Sequence, residues 1–398
     1  MNYRYFSAAG CAAALAAATP LVLCGTALAG DFVPIDVTVS DPAVDLPDPE
    51  FDPVGDRMVW QDRAGNLWIA DLDPANGDLI PTSGRGQKLD ENLAGLIFTG
   101  NGPEWGYGNG EVIITYTLQV GETRSLGLGR QNALGEWEAG VVGNNGSPGE
   151  RWRPLSTDPG TIDTALISYI REFESGDLGV GWREVDNATT EGGVLGAGSN
   201  GGQWAQGERA FVSPQKVNDI FQLFWVDIDT EEVTQITDTG VNTLNAIPWL
   251  APEYDEQLIS AAMDATTIGI FRRIDGVWTL INSLDIPSTR PFIGSPEPFV
   301  HDGKSYVTVV ASEEIGVGPL AFFPTGPSEI WIAGIDPNEP FYRRIDDGLD
   351  GPFRTEPEAY ATDNGTVIYY TLRDMATGNA VLRRADTGLG PFTNPDGD

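Results

Sequence analysis

The residues of this chain that could do chemistry are carboxylates. Glutamate follows proline at Pro49-Glu50, Pro103-Glu104, Pro296-Glu297 and Pro357-Glu358, each time just ahead of an aromatic residue. Carboxylates brought close together can ligate a hard cation such as calcium, or can divide acid and base roles as in glycoside hydrolysis. Glu50 and Glu104 directly precede their aromatics, whereas Glu297 and Glu358 stand two residues ahead. On regular strands these positions face opposite ways, so without bulges the four do not share one channel. Three readings stand. The glutamates are structural or solvated; or Glu50, Glu104, Glu297 and Glu358, with Trp105, form a ligand or ion site; or Glu297 and Glu358 are catalytic.

Other chemistry is scarce. A Ser-His-Asp arrangement needs a histidine base, and the only histidine is His301. It precedes Asp302-Gly303, a hairpin signal, and reads as an exposed turn residue. Both cysteines, Cys11 and Cys24, fall within the first 29 residues, so a chain lacking that segment has no disulfide, thiolate nucleophile or cysteine zinc site. Asp71, Asp73, Asn76 and Asp78 partly match a calcium loop, but Ala75 takes the third ligand place and Pro74-Ala75-Asn76-Gly77 reads as a turn. The Gly-rich run from Gly192 to Gly202 lacks the Gly-Lys-Ser/Thr ending of a phosphate loop and reads as a flexible connection. No cofactor is required, calcium being the one ion the glutamates suggest.

The elements that would position these residues are strands. Phe51 to Asp73 is a complete unit: an aromatic, a Gly-Asp turn, the alternating strand RMVWQD, a second turn, and the strand LWIADLD. A meander of this size cannot bury its apolar face alone. Copies recur about every 45 to 60 residues, near the range of propeller blades. They open at Phe51, Trp105, Trp152, Trp204, Trp249, Phe299 and Tyr360, with strands such as VIITYT, TALISYI, QLISAAM and TVIYYT following. The expected fold is therefore all-β, a β-propeller of about seven blades (six to eight) built of antiparallel meanders, with a two-sheet sandwich as the alternative. The last repeat supplies three strands, and FVPIDVTVS near the N-terminus alternates like a fourth that would close the ring.

Residues 1–29 carry Arg4, an Ala-rich apolar run and Ala27-Leu28-Ala29, the pattern of a secretory signal cleaved after Ala29. A single domain is expected over residues 30–388, with a disordered tail over 389–398. The chain has 58 acidic and 23 basic residues, a formal net charge of −35. Such a surface repels nucleic acid and suits a soluble, monomeric product that does not insert in a membrane once the signal is gone.

Phe51-Asp52-Pro53-Val54-Gly55-Asp56-Arg57-Met58-Val59-Trp60 resembles the TolB-type, WD40-like propeller repeat, in which an aromatic is followed by Ser-Pro-Asp-Gly and a strand. Leu223 to Asp229 and Glu232 to Thr237 look like later strands of that repeat. The resemblance implies a propeller, a secreted or periplasmic location, and protein docking in the envelope. Ser295 to Tyr306 looks like the blade opening of arabinanase- and xylosidase-type glycoside hydrolases. The expected function is an exported, non-catalytic binding module for an envelope or extracellular protein or a polysaccharide. The alternative is a carbohydrate-active hydrolase or lyase.

Overall fold

Alternation along Arg57–Gln61 sends Met58 and Trp60 to one face and Val59 to the other, and all three are fully buried. A strand apolar on both faces needs a neighbour on each side, the condition of a blade in a ring. A computed structural model of the chain describes residues 34–36, 49–52, 54–62, 64–80, 86–91, 93, 102–108, 110–120, 122–142, 151–156, 165–173, 175–186, 193–195, 201–317, 322–374 and 380–392. The signal segment over residues 1–29 lies outside them. Among the described residues there are strands and turns and no helix.

Seven antiparallel sheets follow one another. Blade 1 is β2 (Glu50–Asp52), β3 (Arg57–Gln61), β4 (Leu67–Leu72) and β5 (Leu79–Ile80), with β6 (Gln87–Asp90) also on β4. Blade 2 is β7 (Glu104–Gly108), β8 (Glu111–Val120), β9 (Thr123–Gln131) and β10 (Trp137–Val141). Blade 3 is β11 (Arg151–Ser156), β12 (Leu166–Glu172), β13 (Leu178–Glu184) and β14 (Gly193–Leu195). Blade 4 is β15 (Gln203–Trp204), β16 (Ala210–Val217), β17 (Ile220–Asp227) and β18 (Val233–Gln235). Blade 5 is β19 (Leu244–Ala251), β20 (Glu256–Ala262), β21 (Ile268–Ile274) and β22 (Val277–Leu284). Blade 6 is β23 (Phe292–Gly294) and β24 (Pro298–His301) on β25 (Lys304–Ser312), then β28 (Ser328–Gly334) and β29 (Tyr342–Arg344), with a hairpin of β26 (Ile315–Val317) and β27 (Phe322–Pro324) inserted. Blade 7 is β30 (Phe353–Thr362), β31 (Gly365–Arg373) and β32 (Ala380–Asp386), and its fourth strand is β1 (Ile35–Asp36). The N-terminal strand closes the ring as expected, pairing Ile35 with Arg384 and Asp36 with Arg383.

The buried apolar residues divide into seven clusters, one at each junction between blades. Each large side chain fully buried there contributes about 1.5–3 kcal/mol relative to exposure, so the junctions hold the ring together. Closure needs the junction between blades 7 and 1. There Met58, Trp60 and Leu72 pack on Tyr360, Tyr369 and Leu382, and the Asp73–Asp78 turn of blade 1 clasps blade 7. Asp363 N donates to Pro74 O (2.8 Å) and Asn364 Nδ2 to Ala75 O (2.7 Å). Arg384 pairs with Asp78 (2.8 Å), and Tyr369 Oη donates to Gly77 O. The stretch weighed as a calcium loop is thus a turn, pinned by Asp73 Oδ1 on Ala75 N (3.0 Å) and Asn76 Oδ1 on Asp78 N (2.7 Å).

Two expectations need correction. Residues 193–195 of the Gly-rich run form β14, the outer strand of blade 3, so this part of the run is not a plain connection. The opening aromatics do not share one fixed place, and Trp152 departs furthest. Blades 3, 5 and 7 carry a bulge in the inner strand, between Trp152 and Leu155, Leu244 and Ile247, and Thr355 and Glu358. Trp249 and Tyr360 follow their bulges, whereas Trp152 precedes its own. Of the tail, Leu389 packs against the junction of blades 6 and 7, and residues 393–398 lie outside the described residues.

Removal of residues 31–40 deletes β1 and strips β32 of its outer partner, and a fall in Tm of about 5 °C or more is expected in calorimetry. Gly77 has φ 77°, and a Cβ there would lie 2.3 Å from Tyr369 Oη. Gly77→Ala should therefore cost about 2 kcal/mol or more in urea unfolding.

Candidate functional site

The inner strands place the four Pro-Glu glutamates in one environment. Each proline is buried and each glutamate half-buried. Directly opposed residues of antiparallel strands share a face, so the partners show where the glutamates point. Glu50 opposes Val59, which packs at the junction of blades 1 and 2, and Glu358 opposes Tyr369, at the junction of blades 7 and 1. Glu104 opposes Thr115, on the same face as Ile113 at the junction of blades 2 and 3. Thr308 N donates to Glu297 O (2.8 Å), and the Thr308 hydroxyl reaches Pro357 O of blade 7 (3.4 Å). All four thus face the following blade. The spacing difference read in the sequence belongs to the aromatics: Phe51, Trp105 and Trp204 pack towards the preceding blade, and Trp249, Phe299 and Tyr360 towards the following one.

A left-handed residue two places earlier sets this orientation in blades 4 to 7, at Gly201 (φ 62°), Asn245 (52°), Ser295 (47°) and Glu356 (50°). The corresponding positions are Leu155 in blade 3, Gln203 in blade 4 and Ile247 in blade 5. Glutamate therefore occupies this position on four consecutive blades, 6, 7, 1 and 2, and neutral residues occupy the other three. Among the described residues no group of three or more His, Cys, Asp or Glu is placed to hold a metal ion, so the expectation of calcium held by these glutamates finds no donor cluster. Trp105 is 6% exposed, with its Nε1 donating to Glu50 O (3.0 Å) and Arg57 packed 5.1 Å from its ring centre. It is a junction residue and presents no open face to a sugar.

His301 corrects a further expectation. It is 3% exposed, at the junction of blades 6 and 7. Nδ1 lies 3.0 Å from Thr366 Oγ1, and Phe392 stacks on the ring at 4.6 Å. The next two residues do form a hairpin turn, with φ 49° at Asp302 and 71° at Gly303. His301 shares a face of β24 with Phe299, which packs at the junction of blades 6 and 7, so Thr366 and Phe392 cover the imidazole. Burial lowers its pKa, with Asp302 and Asp386 acting in the opposite direction.

A cavity of about 400 Å³ opens between blades 5 and 6. Three connections at one end of the ring build it: the Pro252–Asp255 turn, the Asp302-Gly303 turn with the start of β25, and the β28–β29 loop. Tyr254, Tyr306 and Phe341 supply aromatic walls, and Glu253, Asp336, Glu339 and Lys304 supply charge. Glu253 accepts from Ser305 N (2.8 Å) and Ser305 Oγ (2.9 Å), and Trp249 Nε1 donates to the same hydroxyl (3.0 Å). Asp336 Oδ1 accepts from Asn338 N (2.8 Å) and Nδ2 (3.1 Å), and Lys304 Nζ lies 3.4 Å from Glu339. Tyr306 stacks on Phe299 at 5.4 Å and meets Phe341 edge-on at 5.7 Å. Sequence reasoning missed this site, although Lys304, Ser305 and Tyr306 lie in the stretch singled out for Glu297. Its walls come from three turns distant in the sequence, and no motif joins them.

No family model matches the chain, and no curated protein sequence matches it. Solved structures do. An oligogalacturonate lyase from Vibrio parahaemolyticus is 11% identical with a TM-score of 0.54, over 90% of this chain and 92% of that one. The Dos1 propeller is 9% identical with a TM-score of 0.52, over 91% and 97%. TolB from Acinetobacter baumannii is 14% identical over 83% and 78%, with a TM-score of 0.39. At these identities the likeness is one of fold: the chain is a seven-bladed β-propeller.

His301 yields a pH prediction. Its folded pKa is lowered, so the unfolded chain takes up the proton first and stability falls as pH drops below the ordinary value of about 6.5. The difference in unfolding free energy between the native chain and His301→Gln should be largest above pH 7 and shrink towards pH 5. A pH-independent difference would contradict the burial of a neutral imidazole.

Proposed function

We propose that the chain is an exported binding propeller whose ligand enters the cavity between blades 5 and 6, and that no bond is made or broken there. The occupancy of the cavity's carboxylates supports this reading. Glu253 is held by Ser305, Asp336 by Asn338, and Glu339 lies against Lys304. An acid–base pair needs one carboxyl protonated beside a reacting bond and a second aimed at the opposite side, whereas these three each serve a turn or an ion pair. A pocket of this volume with aromatic walls and a few fixed polar groups is the usual form of a ligand site.

Export rests on the signal pattern of residues 1–29. Among the described residues no helix is long and apolar enough to cross a membrane. The partner is an envelope or extracellular protein or a polysaccharide, bound by a monomer. An oligogalacturonate lyase shares the fold, and fold alone does not decide between binding and catalysis. The rival reading, a carbohydrate-active enzyme working through Glu297 and Glu358, is answered in the same assay.

Thermal unfolding of the exported chain against basic peptides and neutral and acidic oligosaccharides tests the reading. A ligand at about 100 times its Kd stabilises the folded state by about 2.7 kcal/mol. That shift should vanish in Tyr254→Ala and persist in Glu297→Gln and Glu358→Gln. Turnover of any saccharide, lost in Glu297→Gln or Glu358→Gln, would replace binding with catalysis.

A further inference from the structure

Building on the reading of the cavity as the ligand site, we infer that it takes a cationic side chain, arginine or lysine, presented by an extended basic segment of a partner protein. The charge of the walls points this way. Three carboxylates, Glu253, Asp336 and Glu339, face one ammonium, that of Lys304. Ionised carboxylates only accept hydrogen bonds and have about four acceptor sites each, so while holding a turn or Lys304 they can still accept from a ligand that brings donors and positive charge. Because Glu253 and Asp336 are held in place by Ser305 and Asn338, their acceptor oxygens are already arranged.

The aromatic walls point the same way. Arg272 lies 4.7 Å from the centre of the Tyr254 ring and Arg343 5.2 Å from that of Phe341. Two of the three rings therefore already take part in guanidinium–aromatic packing, the interaction that selects organic cations in aromatic cages. Arg272 is paired with Glu256 (2.8 Å), whereas Arg343 donates to the neutral Thr387 O (2.7 Å) and keeps its charge. With Lys304 it sets two cations against three carboxylates, so the balance stays acidic.

Lys304 shows where a cation sits. Its ammonium lies 3.4 Å from Glu339, and the two side chains are 66% and 73% exposed, so the pair is weakly held and readily displaced. It acts as an internal competitor at the mouth of the cavity. The net charge of −35 adds long-range attraction for a basic segment, an effect that salt weakens.

The test uses acetyl-Gly-Arg-Gly-amide, its citrulline counterpart, which has nearly the same shape without the charge, and the neutral saccharide cellotriose, each titrated into the exported chain by calorimetry. The arginine peptide should bind about tenfold or more tighter than the citrulline peptide, and more weakly as salt rises. Lys304→Ala should tighten its binding and Glu339→Gln should weaken it, each by about threefold or more. Both side chains are exposed, so neither change threatens the fold, and an unchanged Tm confirms this. Equal binding of the arginine and citrulline peptides overturns the inference, as does binding indifferent to both substitutions. If cellotriose binds instead and Tyr254→Ala abolishes it, the cavity remains the ligand site and only the cationic ligand falls. If no probe binds, the inference and the reading of the cavity fall together.

Discussion

A ring of radial sheets must close, because each blade has two apolar faces and each face needs a neighbour. In this chain the closing contact joins residues more than three hundred positions apart, such as Asp56 and Tyr360, whose hydroxyl donates to the carboxylate at 2.6 Å. It has three layers. Near the axis, Tyr360 and Phe51 pack at 5.7 Å; midway, Tyr369 meets the Gly77 turn; at the outer edge, β1 supplies the strand that blade 7 lacks. The other six junctions join blades adjacent in sequence and pay only a short loop-closure cost. This one must be made across the whole domain.

Closure also explains the positions of the carboxylates. The run of glutamates on blades 6, 7, 1 and 2 is continuous only because blade 7 meets blade 1, so on the linear chain it reads as two separate pairs. Each glutamate lies along a junction, and among the described residues the four form no metal-binding group; the proposed ligand cavity lies among the turns at one end of the ring. There the cavity between blades 5 and 6 is fixed by the two hydrogen bonds that Ser305 donates to Glu253, which tie the first turn of one blade to the second strand of the next. Its shape is therefore a property of the junction and of no single loop.

The architecture was legible because it rests on local patterns. Alternation in RMVWQ, the Asp-Gly and Asn-Gly turns and the recurring aromatic are all read within a dozen residues, and the missing fourth strand of blade 7 pointed to the N-terminus. The errors share one physical cause, that strand parity is set by bulges and by the neighbouring blade. Trp152 precedes a bulge that Trp249 and Tyr360 follow. The left-handed residues Asn245, Ser295 and Glu356 turn the inner strand without a glycine to mark them. His301 carries a strong turn signal and is nevertheless covered by Thr366 and Phe392 from another blade. The cavity was invisible for the same reason, since Tyr254, Tyr306 and Phe341 are brought together only by the packing of two blades.

Native-state amide hydrogen exchange across the closing blade tests closure most directly, because protection reports whether a strand opens locally or only with the whole domain. If β1 seals the ring, the amides of residues 380–386 exchange as slowly as those of β25 at the centre of blade 6, through global unfolding. Exchange of residues 380–386 orders of magnitude faster, at the rate of a frayed edge strand, would show that blade 7 is open and that the ring does not depend on the N-terminal strand.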